Sequence, residues 1–395
     1  MECNESCNYM LDTIVLMIPQ ENFNVLRYDY FSPPIGGMFR EPFIPFAGQP
    51  FVKCVQNMTK EDIKNNVYKP RLTVFKRKTG KHNVFKLTLY IELSIPKLLH
   101  GNNFDEVKEA DFDDVIKALM GKLFQMGIHI TKENLMEAKI KTIHYSKNIV
   151  FDDCTSASSI ISLLGKIKLT QRLDLNQTDY WNNGHLVRYH AKSYSLVFYD
   201  KVADLIKSPA RAVEKQDRTF NYQMDIFDAV RQQTPLEVLR MEFRMNERQK
   251  IEKFLKMLGF EIPITFKYLF NEEVAKAVLL HYWDFIHKEL MPILLQNITP
   301  YEQFELIAKQ RQELTPQRIL AMVAVSSMIK DKGHRTVQGG FKRLFSTATL
   351  DRVYKDIRKL DYKILNRSQP IEHVHQALKE FKPLKLKDYD PAYFM

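Results

Sequence analysis

In the segment LEVLRMEFRM (residues 236–245), Leu239, Met241, Phe243 and Met245 alternate with Arg240, Glu242 and Arg244. Successive side chains of a strand point to opposite faces, so the segment fits a strand with one face on a hydrophobic layer and a charged row on the other. The same period runs through FKLTLYIELS, where Leu87, Leu89, Ile91 and Leu93 oppose Thr88, Tyr90, Glu92 and Ser94. In KTIHYSKNIV, Ile143, Tyr145 and Lys147 oppose Thr142, His144, Ser146 and Asn148. In YSLVFYDK, Leu196, Phe198 and Asp200 oppose Val197, Tyr199 and Lys201, and just before it Arg188, His190, Lys192 and Tyr194 align. Strands of this kind pair into a sheet with one apolar face and one polar face.

Between these strands the period changes. FDDVIKALMGKLFQMG carries apolar residues three and four apart, as a helix does, and TSASSIISLLGKI starts from a Thr or Ser suited to an N-cap. DIFDAV reads as a further helix. Leu11–Ile18 is a β-branched, apolar run ending at Pro19, and Thr79-Gly80 marks a hairpin turn between two strands. Residues 19–69, rich in Pro, Gly, Asn and Phe, look irregular. The expected fold is α+β, an antiparallel-rich sheet with helices on one face, spanning residues 10–260. From 261 to 395 the pattern is helical. TPQRILAMVAVSSMIKDKG, VQGGFKRLF and ATLDRVYKDIRKLD form three basic helices with short joints, compatible with a helix-turn-helix unit and equally with a plain bundle showing a charged face.

Charge and cysteine content narrow the partners. Lys and Arg outnumber Asp and Glu by 58 to 47, a formal net charge of +11, which favours a polyanion. The four cysteines (Cys3, Cys7, Cys54, Cys154) lack zinc-site spacing and read as reduced thiols of a cytosol. No apolar run is long enough to span a bilayer, and the start of the chain has no basic leader, so no membrane partner is expected.

An uncovered polar sheet face with tyrosines and cations suits single-stranded nucleic acid. An imidazole and a carboxylate on neighbouring strands suit a hard divalent cation. Taken singly, a strand histidine is as well explained by a hydrogen bond at the surface, and Arg240, Glu242 and Arg244 by a solvated ion-pair ladder. An RNA-binding platform would carry an aromatic signature that the strands lack.

Four segments in order, MLDTIVLMIP (10–19), LYIELSIPKLLHGNN (89–103), YSLVFYDK (194–201) and VLRMEFRM (238–245), resemble the gene II replication proteins of filamentous phages, within the phage and plasmid replication protein (II/X) family. That family is in turn distantly similar to the rolling-circle initiators of staphylococcal plasmids. The likeness runs from about residue 10 to 260. It implies a rolling-circle Rep-like nuclease core that nicks one strand at a replication origin through a tyrosine, forms a 5′-phosphotyrosyl intermediate and rejoins the displaced strand. A non-catalytic origin-binding or copy-control protein is the alternative.

The resemblance also implies site residues. Tyr222 lies between the YDK and RMEFR segments, where the family's nucleophile stands, and Lys215 shares about one helical face with it as a phosphate-orienting or proton-accepting group. Glu242 matches the family's acidic strand position, and His144 falls where relatives carry an aspartate. With Asp200 they form the expected ligand set for Mg²⁺ or Mn²⁺, His190 and Glu92 being alternatives for the third place. The His-hydrophobe-His pair of the wider rolling-circle class does not occur within residues 10–260, the stretch that carries the likeness. Tyr199 and Tyr194 are the next nucleophile candidates. Arg240, Arg244, Lys201, Lys342 and Arg343 are expected on DNA. The implied partners are origin DNA, double- and single-stranded, and a host helicase and polymerase, in the bacterial cytosol.

Overall fold

The computed structural model describes residues 11–35, 51–65, 67–79, 84–151, 155–167, 177–181, 184–206, 237–294, 298–361 and 369–385. Nine strands form one sheet in the order β3-β4-β5-β1-β7-β11-β10-β9-β8, with every neighbouring pair antiparallel. They are β1 (Leu11–Pro19), β3 (Phe51–Gln56), β4 (Arg71–Thr79), β5 (Val84–Ser94), β7 (Lys139–Phe151), β8 (Gln177–Trp181), β9 (Leu186–His190), β10 (Tyr194–Asp200) and β11 (Glu237–Met245). The short β2 (Asn24–Val25) and β6 (Ile128–His129) pair separately. The expected α+β architecture with a large antiparallel sheet and many helices is present. Strand β11, last in sequence, inserts between β7 and β10 and so joins the two halves of the sheet.

The alternation read from the sequence is obeyed. Leu87, Leu89, Ile91 and Leu93, and Leu239, Met241, Phe243 and Met245, are all buried in one hydrophobic core. Helices cover that side. Tyr145 donates its hydroxyl to the carbonyl of Leu269 at 3.1 Å, and Tyr282, from the helix Glu272–Leu294, stacks on Phe243 with ring centroids 4.1 Å apart. The helix Ala157–Lys166 begins at Ser156, whose hydroxyl accepts from the N–H of Ser159. The core crosses position 260: Ile140 N–H donates to Ile264 C=O, Phe266 N–H donates to Ala138 C=O, and Phe381 is fully buried.

Several elements escaped the periodicity, two of them in or against the core sheet. Strand β3 lies inside the stretch that looks irregular, and the helix Gln369–Glu380 docks on β7, where His373 Nε2 lies 2.8 Å from Val150 C=O. The expected helix over DIFDAV lies outside the described residues. The three basic helices are Pro316–Lys332, His334–Leu344 and Thr347–Ile357. Gly333, at φ +76°, turns the first into the second, a conformation that side chains rarely adopt. Among the described residues, no helix is long and apolar enough to cross a membrane.

Candidate polar-face site

Cross-strand register sets out the polar face in rows. One row runs His190, Ser195, Arg244, His144 and Thr13; the next Arg188, Val197, Glu242 and Ser146; the third Leu186, Tyr199, Arg240 and Asn148. Register partners share a face, so Tyr199, Arg240, Glu242, Arg244 and His144 are brought together, from three adjacent strands. A register shift between Leu11 and Thr13 leaves Asp12 as an extra residue against β7, and its carboxylate reaches the same cluster.

This face is not the open platform expected. Arg240 and Glu242 are 1% and 2% exposed. The loop after LLHG covers them: Arg240 Nη1 donates to Asn103 C=O (3.3 Å), and Asn148 Nδ2 donates to Phe104 C=O (3.0 Å). Lys201, which opens the short helix Lys201–Ile206, lies over the rings of Phe104 and Tyr199, 5.6 and 5.8 Å from their centroids.

Within the cluster Glu242 is the hub. Its Oε1 accepts from Arg240 Nε at 2.9 Å and from the Tyr199 hydroxyl at 2.7 Å. Its Oε2 accepts from Arg244 Nε at 2.8 Å and also from Arg244 Nη2. Arg240 further donates to Asn148 Oδ1 at 2.9 Å and pairs with Asp12 at 3.1 Å. The supposed surface ladder is therefore a largely buried network in which every guanidinium nitrogen of Arg240 has a partner.

Electrostatics follow from that geometry. Burial pushes the Glu242 carboxyl up, but the Coulombic pull of Arg244 and then Arg240 outweighs it and holds the group well below the usual carboxylate range. Burial, then the charge of Glu242, drives the Tyr199 phenol well above its ordinary value, so it stays a proton donor. Burial followed by the nearby Arg244 charge lowers His144, which is the neutral imidazole at pH 7. Lys201 is fully buried, its ammonium has no hydrogen-bond acceptor among the described residues, and burial lowers its pKa to about 8.

Other expected residues lie elsewhere. Asp200 stands opposite Leu239 on the core side of the sheet, 3.1 Å from His185 Nδ1, and accepts from the N–H of Ala203. It is not gathered with His144 and Glu242, because it has the opposite strand parity to Tyr199. Tyr194 pairs with Met245 on the apolar side, against Phe243. His190 and Glu92 are on the polar face, with Glu92 exposed between Val15 and Arg71. Lys342 and Arg343 are exposed on the helix His334–Leu344. Tyr222 and Lys215 lie outside the described residues.

The expected Mg²⁺ or Mn²⁺ does not fit this arrangement. Both oxygens of Glu242 are taken by cationic or phenolic donors, Asp200 faces away, and among the described residues no group of three or more His, Cys, Asp or Glu is placed to hold a metal. Chemically, the cluster can hold a carboxylate ionised, fix a phenol and concentrate positive charge in a dry place.

Sequence reading missed Asp12, Asn148 and Glu106. Beyond Tyr145 the edge of β7 has no β1 partner among the described residues, and Glu106 bonds to it instead. Its Oε1 accepts from Asn148 N–H at 2.7 Å, and its Oε2 accepts from Lys147 Nζ at 2.8 Å and Leu384 N–H at 2.6 Å. The only signal for Asp12 was a charge at the head of an apolar strand. Compared with known proteins, the chain matches no family model, no curated protein and no solved structure.

Proposed function

We propose that the chain is a rolling-circle replication initiator that nicks one strand of origin DNA through a tyrosine and later rejoins it. The observation that carries this is convergence. The four segments that resemble the phage replication proteins lie on β1, β5, β10 and β11, and with the His144 strand they make the contiguous centre β5-β1-β7-β11-β10. Each also contributes to one cluster: Asp12 from the first, the Asn103 carbonyl from the second, Tyr199 and Lys201 from the third, Arg240, Glu242 and Arg244 from the fourth.

In this reading the hydroxyl oxygen of Tyr222 attacks the scissile phosphorus and loses its proton to a base, for which Lys215 is the candidate. The P–O3′ bond breaks, and the 3′ oxygen takes up a proton to become the primer hydroxyl. The ester keeps the bond energy for the reverse transfer, and cations near the phosphate offset the charge on its oxygens. Arg244, the least buried cation of the cluster, is the one best placed for that contact.

A second reading has its own support. The saturation of Glu242 suits a framework that binds an origin without cutting it. Incubation with supercoiled origin DNA, with and without Mg²⁺ or Mn²⁺, separates the two. An initiator gives open-circular product and a covalent adduct, and Tyr222→Phe abolishes the adduct while origin binding stays. Intact DNA under all these conditions sinks the nicking reading.

A further inference from the structure

Away from the sheet, the helices Pro316–Lys332 and His334–Leu344 flank a groove of about 340 Å³. Its floor is Gly340, Val337 and the half-buried Phe341, and its walls are Met328, Leu344 and Phe345. Leu344 and Phe345 are 74% and 70% exposed and Met328 39%, a degree of apolar exposure that side by side marks a contact surface. The Phe341 and Phe345 rings stand 6.1 Å apart, inclined at 58°. Every charge lining the groove is positive, Lys332 and Arg343, and the helix His334–Leu344 carries Arg335 and Lys342 besides, with no acidic residue.

Gly339 and Gly340 sharpen the case. Glycine is the weakest helix former after proline, and two in succession weaken an eleven-residue helix. Neither is required by packing: a Cβ built on either has no heavy atom within 4 Å. At Gly340 the missing side chain leaves the backbone bare beneath an apolar groove, the arrangement by which glycine admits a ligand close to the chain.

We propose that this groove binds single-stranded nucleic acid, with bases stacked on Phe345 and Phe341 over Gly340 and phosphates on Lys332, Arg343 and Lys342. A single strand supplies flat apolar base faces and a phosphate charge at regular spacing, matching a groove that is apolar within and cationic at its rim. A duplex presents its phosphates outward and leaves the exposed Leu344 and Phe345 without a use. The site needs no strand cleavage and is separate from the polar face.

The test uses the full chain and a short fluorescein-labelled oligothymidylate, read by anisotropy. Phe345→Ala, at an exposed position, weakens binding about tenfold. Gly340→Ala raises the melting temperature and weakens binding, whereas Gly339→Ala raises the melting temperature and leaves binding unchanged. Lys332→Glu with Arg343→Glu flattens the salt dependence. Equal binding of an abasic strand of the same length overturns the proposal, as does displacement by polyglutamate at equal charge, which marks an acidic-peptide or general polyanion surface. Because the readout is binding, a chain that never nicks origin DNA still passes or fails this test on its own.

Discussion

Glu242, on β11, and Glu106, in the loop beside β7, are both sealed from solvent, both hydrogen-bonded and both beside a cation, yet their acidities move in opposite directions. At Glu106 burial is the largest influence, and the single Lys147 charge with two backbone N–H donors leaves the pKa raised. At Glu242 burial is again the largest single influence, but two guanidiniums and a phenol together reverse it. The difference teaches that one buried cation does not offset the desolvation of a carboxylate, so its pKa stays raised, whereas two arranged on its two oxygens more than offset it.

The largest effect is expected at the hub. Glu242→Gln removes the anion shared by Arg240 and Arg244 and leaves Arg240 buried against Asp12 alone, so urea unfolding should show a loss of about 3–5 kcal/mol. Glu106→Gln removes the anion of only one cation and should cost less. Should the two variants lose equal stability, the contrast in cation number would not be what distinguishes the sites.

Lys201 is the converse case, a buried cation with no carboxylate on it. Burial without a hydrogen bond is costly, and what offsets it is two aromatic faces and the more distant charges of Asp204, Asp12 and Glu242, which together leave the pKa lowered. Lys201→Met should therefore leave the fold intact and raise stability by about 1–2 kcal/mol, the gain expected when an uncompensated charge gives way to an apolar chain of similar length. A loss of stability would mean that the ammonium has a partner of real strength.

The contrast between these carboxylates was only half legible in the sequence. Alternation over 239–245 and 87–93 reports which side chains meet the core, because one buried face must be continuous, and it set Asp200 in line with Leu196 and Phe198, a parity that the expected ligand set of Asp200 with Glu242 disregarded. What covers the other face is set by contacts far apart in sequence: Asn103 to Arg240, Phe104 to Asn148, Leu384 to Glu106. No local period encodes such contacts, so a ladder that looks solvated proves largely buried. Asp12 was hidden for another reason, since a bulge breaks the parity on which the reading depends.

The smallest effect is a slope rather than a loss. Glu242 has its folded pKa below the ordinary 4.5, so its contribution is present above that value and is lost as pH falls through the folded pKa. Glu106 has its folded pKa above 4.5, so the folded state holds the extra proton; its contribution is fully present below 4.5 and is lost as pH rises through the folded pKa. The stability gap between wild type and Glu242→Gln should therefore narrow on acidification, while the gap between wild type and Glu106→Gln should widen. Measuring both by urea unfolding from neutral pH down to about pH 4 cancels the other carboxylates, which titrate alike in each pair. At neutral pH the Glu106→Gln change itself should be only about 1 kcal/mol, since Gln keeps an acceptor for the Asn148 N–H. Parallel slopes for the two variants would show that the number of cations around a buried carboxylate does not set the sign of its linkage in this sheet.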